Sequence, residues 1–235
     1  MPSESLWDNQ WLLYNNHPYF KPNTKILQVI TQLFNHQLKG KKILELGAGS
    51  GSDIVYLAAK GADAYGLDFS AKSLESIKYW AKKKKTKVTT IKGDIQKLPF
   101  RVNSFDLVYS VGLMEHFPET TALLKKQLKI VKPSGYLIVD VPQKYTLYTI
   151  AKHLRMKLGT HPFGWETEFS KNDLYQLARK IGQKPYSFYG REFDILNKII
   201  IDLNSPLRHS LLSLIESLPL APNFCLCIGL IIKKQ

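Results

Sequence analysis

The stretch Ile43-Leu44-Glu45-Leu46-Gly47-Ala48-Gly49-Ser50-Gly51 constrains the fold of this chain more than any other. Ile43 to Leu46 read as a short buried strand, three glycines follow at alternate positions, and Asp53 to Lys60 opens a helix that Gly61 ends. A glycine turn between strand and helix lets backbone and the positive helix end approach a ligand closely. The dinucleotide fingerprint G-x-G-x-x-G places its third glycine at position 52, where this chain has Ser52. The spacing here is G-x-G-x-G, with Glu45 two positions before the first glycine.

The rest of the chain repeats the alternation that this turn begins. Asn23 caps a helix carrying Ile26, Leu27, Ile30, Leu33, Phe34 and Leu38 on one face, with Gly40 beyond it. Strands are predicted at 64–67, 87–91, 104–110 and 136–141, with helices at 71–83 and 118–131 between them and Lys132-Pro133-Ser134-Gly135 as a tight turn. Strands alternating with helices at this spacing imply a doubly wound parallel sheet.

The pattern changes after Pro142. Residues 145–158 read as an amphipathic helix with Leu147, Ile150, Ala151, Leu154 and Leu158 on one face and Lys152, His153, Arg155 and Lys157 on the other. A helix at 171–181 and a strand at 185–189 follow. A second insertion, 191–223, is strongly apolar and interrupted by Pro206 and Pro219. A last strand, 224–232, closes the chain.

The formal net charge is +14, but only five of the 33 basic residues are arginine, the residue that grips phosphate and reads bases bidentately. The run Lys82 to Lys85 falls at a helix end, where cations suit the dipole. The first residues lack a secretion pattern, the longest apolar run is too short to span a bilayer, and Cys225 and Cys227 read as small apolar residues of a strand. A cytoplasmic location is expected.

Four motifs, in order, make the chain resemble the class I S-adenosylmethionine-dependent methyltransferases. The first is Glu45 with Gly47, Ala48, Gly49 and Gly51. The second is Asp68-Phe69-Ser70, whose acid in that family takes both ribose hydroxyls, as a carboxylate with two acceptor oxygens can. The third is Gly93-Asp94-Ile95, with Leu98-Pro99-Phe100, where the acid meets the adenine amine. The fourth is Ser110-Val111-Gly112, then Glu115-His116-Phe117, which pass the methionine moiety and the reacting methyl. The resemblance implies S-adenosyl-L-methionine as cofactor. It also implies an α/β, Rossmann-like, doubly wound sheet of seven strands, mostly parallel with an antiparallel last strand, with helices on both faces and helical cap insertions. One domain over 1–235 is expected. It comprises an amino-terminal cap segment (1–35), a cofactor-binding core (36–141, completed by 171–190 and 224–235), and cap insertions at 142–170 and 191–223.

A sulfonium methyl is already activated, so positioning and exclusion of water supply most of the rate. A base matters only where the acceptor has a proton to lose. His116 and His161 are the candidates, with Glu115 beside the first; His116 reads equally as part of the cofactor wall, and Tyr14 and His17 either close over the cofactor or simply pack. No metal cluster stands out. The apolar insertions point to a small-molecule or lipid-like acceptor methylated on oxygen or carbon, with the basic face at Lys152, Arg155 and Lys157 touching an anionic membrane surface. The alternative is a nucleic-acid methyltransferase, or a basic nucleic-acid-binding protein with this fold. No arginine-rich arm or recognised RNA-binding module supports it.

Overall fold

The computed structural model describes residues 5, 7–9, 20–159, 166–193 and 225–235. Helix α1 (Thr24–Leu33) starts where Asn23 Oδ1 accepts the N–H of Ile26, and it buries Ile26, Leu27 and Ile30. It is shorter than its apolar pattern suggests. Asn35 and His36 both take left-handed backbone (φ 49° and 61°), which ends the helix before Leu38.

The core elements follow in the predicted order: β1 (Lys42–Leu46), α2 (Ser52–Ala59), β2 (Asp63–Asp68), α3 (Ala71–Lys83), β3 (Val88–Lys92), β4 (Phe105–Val111), α4 (Thr120–Ile130), β5 (Val131–Pro142), α5 (Leu147–Lys157), α6 (Lys171–Lys180), β6 (Pro185–Phe193) and β7 (Cys225–Lys233). Single 3₁₀ turns stand at Ile95–Lys97 and Met114–His116. The strands form one seven-stranded sheet in the order β3-β2-β1-β4-β5-β7-β6. β1 pairs in parallel with β2 and β4, and β2 with β3, whereas β7 runs antiparallel to β6. The bonds Gln143 N–H to Leu226 O and Lys234 N–H to Gly135 O set β7 antiparallel to β5 as well. The order reverses at β1 and β4, so the chain leaves their carboxyl ends in opposite directions and opens a crevice there.

By compactness the chain falls into two units. One comprises 2–111, 122–137 and 233–235; the other comprises 112–121 and 138–232. In the first, Ile43, Leu44, Leu46, Leu67, Leu107, Val108 and Tyr109 are fully enclosed strand residues. Lys83 and Lys84 of the lysine run lie over the rings of Tyr79, Trp80 and Phe20, so their stems cover aromatic surface at the helix end.

Three expectations change. The Lys132–Gly135 turn lies within β5: Ser134 is left-handed (φ 62°), and the N–H of Ser134 donates to Lys234 O. β6 runs on to Phe193 because Arg191 and Phe193 pair with Cys227 and Cys225, so Arg191 belongs to a strand and not to the second insertion.

The third is the orientation of α5. The expected apolar face is the outer one, with Ile150, Ala151, Leu154 and Leu158 exposed. His153, Arg155 and Lys157 of the expected basic face are exposed too, but Lys152 is wholly buried, and the buried line of the helix is Thr146, Thr149 and Lys152. Thr149 Oγ1 donates to Gln143 O, and Lys152 Nζ lies 2.8 Å from Glu166 Oε2 and 2.5 Å from Glu168 Oε1. Two carboxylates contributed by 166–168 draw the lysine inward, a pairing that helical periodicity could not show. Cys225 is buried, as expected, and neither cysteine forms a disulfide among the described residues. No helix among the described residues is long and apolar enough to cross a membrane.

Candidate cofactor site and its surroundings

The glycine turn is held from below by β2. Gly47 and Ala48 donate their N–H groups to Leu67 O (2.9 and 3.3 Å), Gly49 donates to Asp68 Oδ2 (2.9 Å) and Gly51 to Ala48 O (2.8 Å). Gly47, Gly49 and Gly51 all have positive φ. At Gly51 (φ 75°) a Cβ would also stand 2.4 Å from Ile77 Cγ1 of α3, so both backbone and packing require glycine. A phosphate cradle needs outward amides. Here they are taken up by the protein, and the turn offers a ligand its bare Cα positions instead.

Carboxylates line the same strand ends. Glu45 is buried opposite Gly66 of β2 and Tyr109 of β4, and its Oε2 has no hydrogen-bond partner. Burial, reinforced by nearby Asp53, pushes this carboxyl well above the usual range. Asp68 is also raised by burial, against the N–H groups of Ser70 and Gly49 that favour its ionised form. Its Oδ1 accepts from Ser70 and its Oδ2 from Gly49, at 2.9 Å each, and the Ser73 side chain and Phe69 backbone also hydrogen-bond to this carboxylate.

The other predicted site residues sort differently. Ser70 is fully buried; its hydroxyl caps α3 by accepting from Ser73 N–H and donates to Asp8. Phe69 is half-buried beside it. Gly93 donates to Asp68 O, Asp94 is exposed and caps the first 3₁₀ turn through Gln96 N–H, and Ile95 is buried. Ser110 ends β4 opposite Leu46, fully buried and with its Oγ unpartnered. Val111 is half-buried, and Gly112 is exposed at φ 62°.

In the second unit, Glu115 is buried with its carboxyl toward Gly112 and its Oε2 unpartnered. Burial, with Glu166 and Asp140 adding to it, raises this carboxyl to about 8. His116 is buried in the second 3₁₀ turn. His161, Tyr14 and His17 lie outside the described residues. Asp140 is buried against Arg191, whose Nη2 approaches Oδ1 to 2.9 Å. A cavity of about 600 Å³ is lined by Tyr145, Tyr175, Phe188, Gln143, Lys171 and Asp173. No cluster of metal-binding side chains occurs among the described residues.

The sequence reading missed Ser73 and Ser76. Their hydroxyls donate to Gly49 O (2.7 Å) and Ser50 O (2.9 Å), tying the turn to α3. The spacing Ser70, Ser73, Ser76 puts three hydroxyls on what should be an apolar helix face, and that was the available clue.

A glycine turn at the switch point of this strand order, with an antiparallel strand before the edge, defines the class I methyltransferase fold, which uses S-adenosylmethionine. Residues 44–139 match the family described as Methyltransferase domain. The chain is 26% identical over 192 residues to the ubiquinone biosynthesis O-methyltransferase of Bordetella avium, covering 77% of this chain and 78% of that protein. It is 31% identical over 100 residues to the sterol 24-C-methyltransferase of Pneumocystis carinii, covering 41% of this chain and 26% of that one. Among solved structures, the magnesium protoporphyrin IX methyltransferase of Synechocystis with bound SAH superposes with a TM-score of 0.64 at 16% identity, covering 90% of this chain and 82% of the other.

Proposed function

We propose that this chain transfers the methyl group of S-adenosylmethionine to an oxygen or carbon atom of an apolar, lipid-like small molecule. The observation that carries the cofactor's place is the pairing of inward-turned glycine amides with the buried acids Glu45 and Asp68. That surface repels phosphate and suits a ligand with cationic groups and a vicinal diol. When bound, S-adenosylmethionine supplies a methyl already activated by the sulfonium.

In this reading the Asp68 carboxylate takes the ribose hydroxyls. Gly93, Asp94 and Ile95 border the adenine, and Ser110, Val111 and Gly112 follow the methionine end. A cation beside Glu45 favours its ionised form, so cofactor binding there is accompanied by proton release. Where the acceptor has a proton to lose, His116 or His161 takes it.

The acceptor class rests on two of the similar proteins, whose names place them in ubiquinone biosynthesis and in sterol methylation. It also rests on the aromatic walls of the cavity at Tyr145, Tyr175 and Phe188. We read the chain as one functional domain, with 142–170 and 194–223 as its acceptor-side insertions. The test is transfer of labelled methyl from S-adenosylmethionine to a panel of phenols, quinol precursors and sterols beside bulk RNA. Label on an apolar acceptor is expected; label on RNA alone would overturn the acceptor assignment.

A further inference from the structure

Helix α5 is built inside out for a helix of a water-soluble surface. Its inner line is polar: Thr146, Thr149 and Lys152 are buried, joined by the Thr146–Thr149 hydroxyl pair (2.9 Å) and the ion pairs to Glu166 and Glu168. Its outer line is aliphatic: Ile150, Leu154 and Leu158, spaced by four residues, are 68%, 60% and 67% exposed. Tyr145, just before the helix, is 70% exposed, and Tyr148 is 42% exposed. These five make up most of the large apolar side chains that stand open to solvent among the described residues. Isolated exposed aliphatics are ordinary, but a contiguous stripe marks a surface for something else.

The charge around the stripe has one sign. From Gln143 to Trp165 the sequence contains no aspartate or glutamate, while Lys144, Arg155 and Lys157 flank the stripe. Arg155 lies over the ring of Tyr148 (5.7 Å), which sets a cation beside an aromatic residue at the margin. The acids that pair with this helix, Glu166 and Glu168, reach Lys152 and His153. An aliphatic stripe edged by tyrosines and cations, on a segment with no acids of its own although Lys144 pairs with Asp173 (3.8 Å), has the make-up of a helix lying in the boundary between anionic headgroups and acyl chains.

We infer that α5 is a membrane-docking helix, seated by Ile150, Leu154 and Leu158 on the surface of an anionic phospholipid bilayer. The buried Lys152 fixes the roll of the helix, so the aliphatic line faces outward before any lipid is met. Tyr145 belongs both to this stripe and to the wall of the aromatic cavity. The inference does not depend on which acceptor is methylated.

The test is flotation of the full chain with vesicles of phosphatidylcholine alone and of phosphatidylcholine with phosphatidylglycerol. The wild type should float with the anionic vesicles. Ile150→Ser/Leu154→Ser/Leu158→Ser should reduce partitioning by about tenfold or more, and Arg155→Gln/Lys157→Gln should reduce the preference for the anionic vesicles. S-adenosylmethionine affinity, measured by calorimetry, should be unchanged in both variants, which separates loss of docking from loss of fold. Absence of wild-type flotation at low salt, or flotation of the triple variant as for the wild type, would overturn the inference. So would a solution dimer that the triple variant converts to monomer without losing flotation, since a second copy would then cover the stripe.

Discussion

Lys152 Nζ lies 2.8 Å from Glu166 Oε2 with no part of the lysine side chain open to water, and Glu168 completes the pairing from its other side. Burial lowers the lysine pKa, but the hydrogen bonds its ammonium donates to both carboxylates raise it by more, so the ammonium stays charged. Replacing it with an uncharged side chain strands two acids in the interior. Lys152→Met should cost about 3 kcal/mol in denaturant unfolding. Adding Glu166→Gln and Glu168→Gln should recover part of that loss. A single variant as stable as the wild type would show that the pairing does not hold α5.

Asp68 stands where the cofactor's sugar is proposed to bind. Asp68→Ala should weaken S-adenosylmethionine binding by about 1.5–3 kcal/mol, the range for a hydrogen bond to a charged group. Titration calorimetry decides: unchanged affinity would remove the ribose assignment while leaving the fold intact.

Gly51 gives a purely steric prediction. Gly51→Ala should destabilise the chain by about 2–3 kcal/mol, combining left-handed backbone on a residue with Cβ and crowding against Ile77. Gly51→Ala with Ile77→Ala should cost less than the two single losses added, because the second change vacates the clash. Strict additivity in thermal or denaturant unfolding would argue that the two residues do not meet.

Glu115 makes stability depend on pH in the less common direction. Its folded carboxyl is raised to about 8 from an ordinary 4.5, so the folded state keeps a proton that the unfolded state gives up. Between those values stability should fall as pH rises, by up to about 1.4 kcal/mol per pH unit. Glu115→Gln should flatten the curve across that window. Melting temperatures from pH 5 to pH 8 test this, and parallel curves for the two proteins would refute it.

Much of the fold could be read because each strand of the first unit is short, apolar and bounded by a turn residue. The glycine turn and Asp68 could be read because their chemistry depends on spacing along the chain. The roll of α5 could not. Helical periodicity reports which residues share a side, and it is silent on which side faces inward when a lysine finds two carboxylates in 166–168. The burial of Ser70 was hidden for a similar reason, since its partner Asp8 lies far away in sequence. The end of β6 was misplaced because Arg191 looks like a loop residue until Asp140 appears beside it.

The position of β7 has a consequence for biosynthesis. This strand follows all the others in the chain, yet it sits inside the sheet, between β5 and β6. As the nascent polypeptide leaves the ribosome, β1 to β5 can pair in turn, while β6 emerges with no neighbour to receive it. Until the last strand is released, β5 presents an open edge and β6 waits as a loose ribbon, both able to recruit strands from other chains. Release of residues 225–233 is therefore the event that closes the sheet. A ribosome stalled just before Cys225 would hold a chain with its cofactor-side strands formed and its sheet still open.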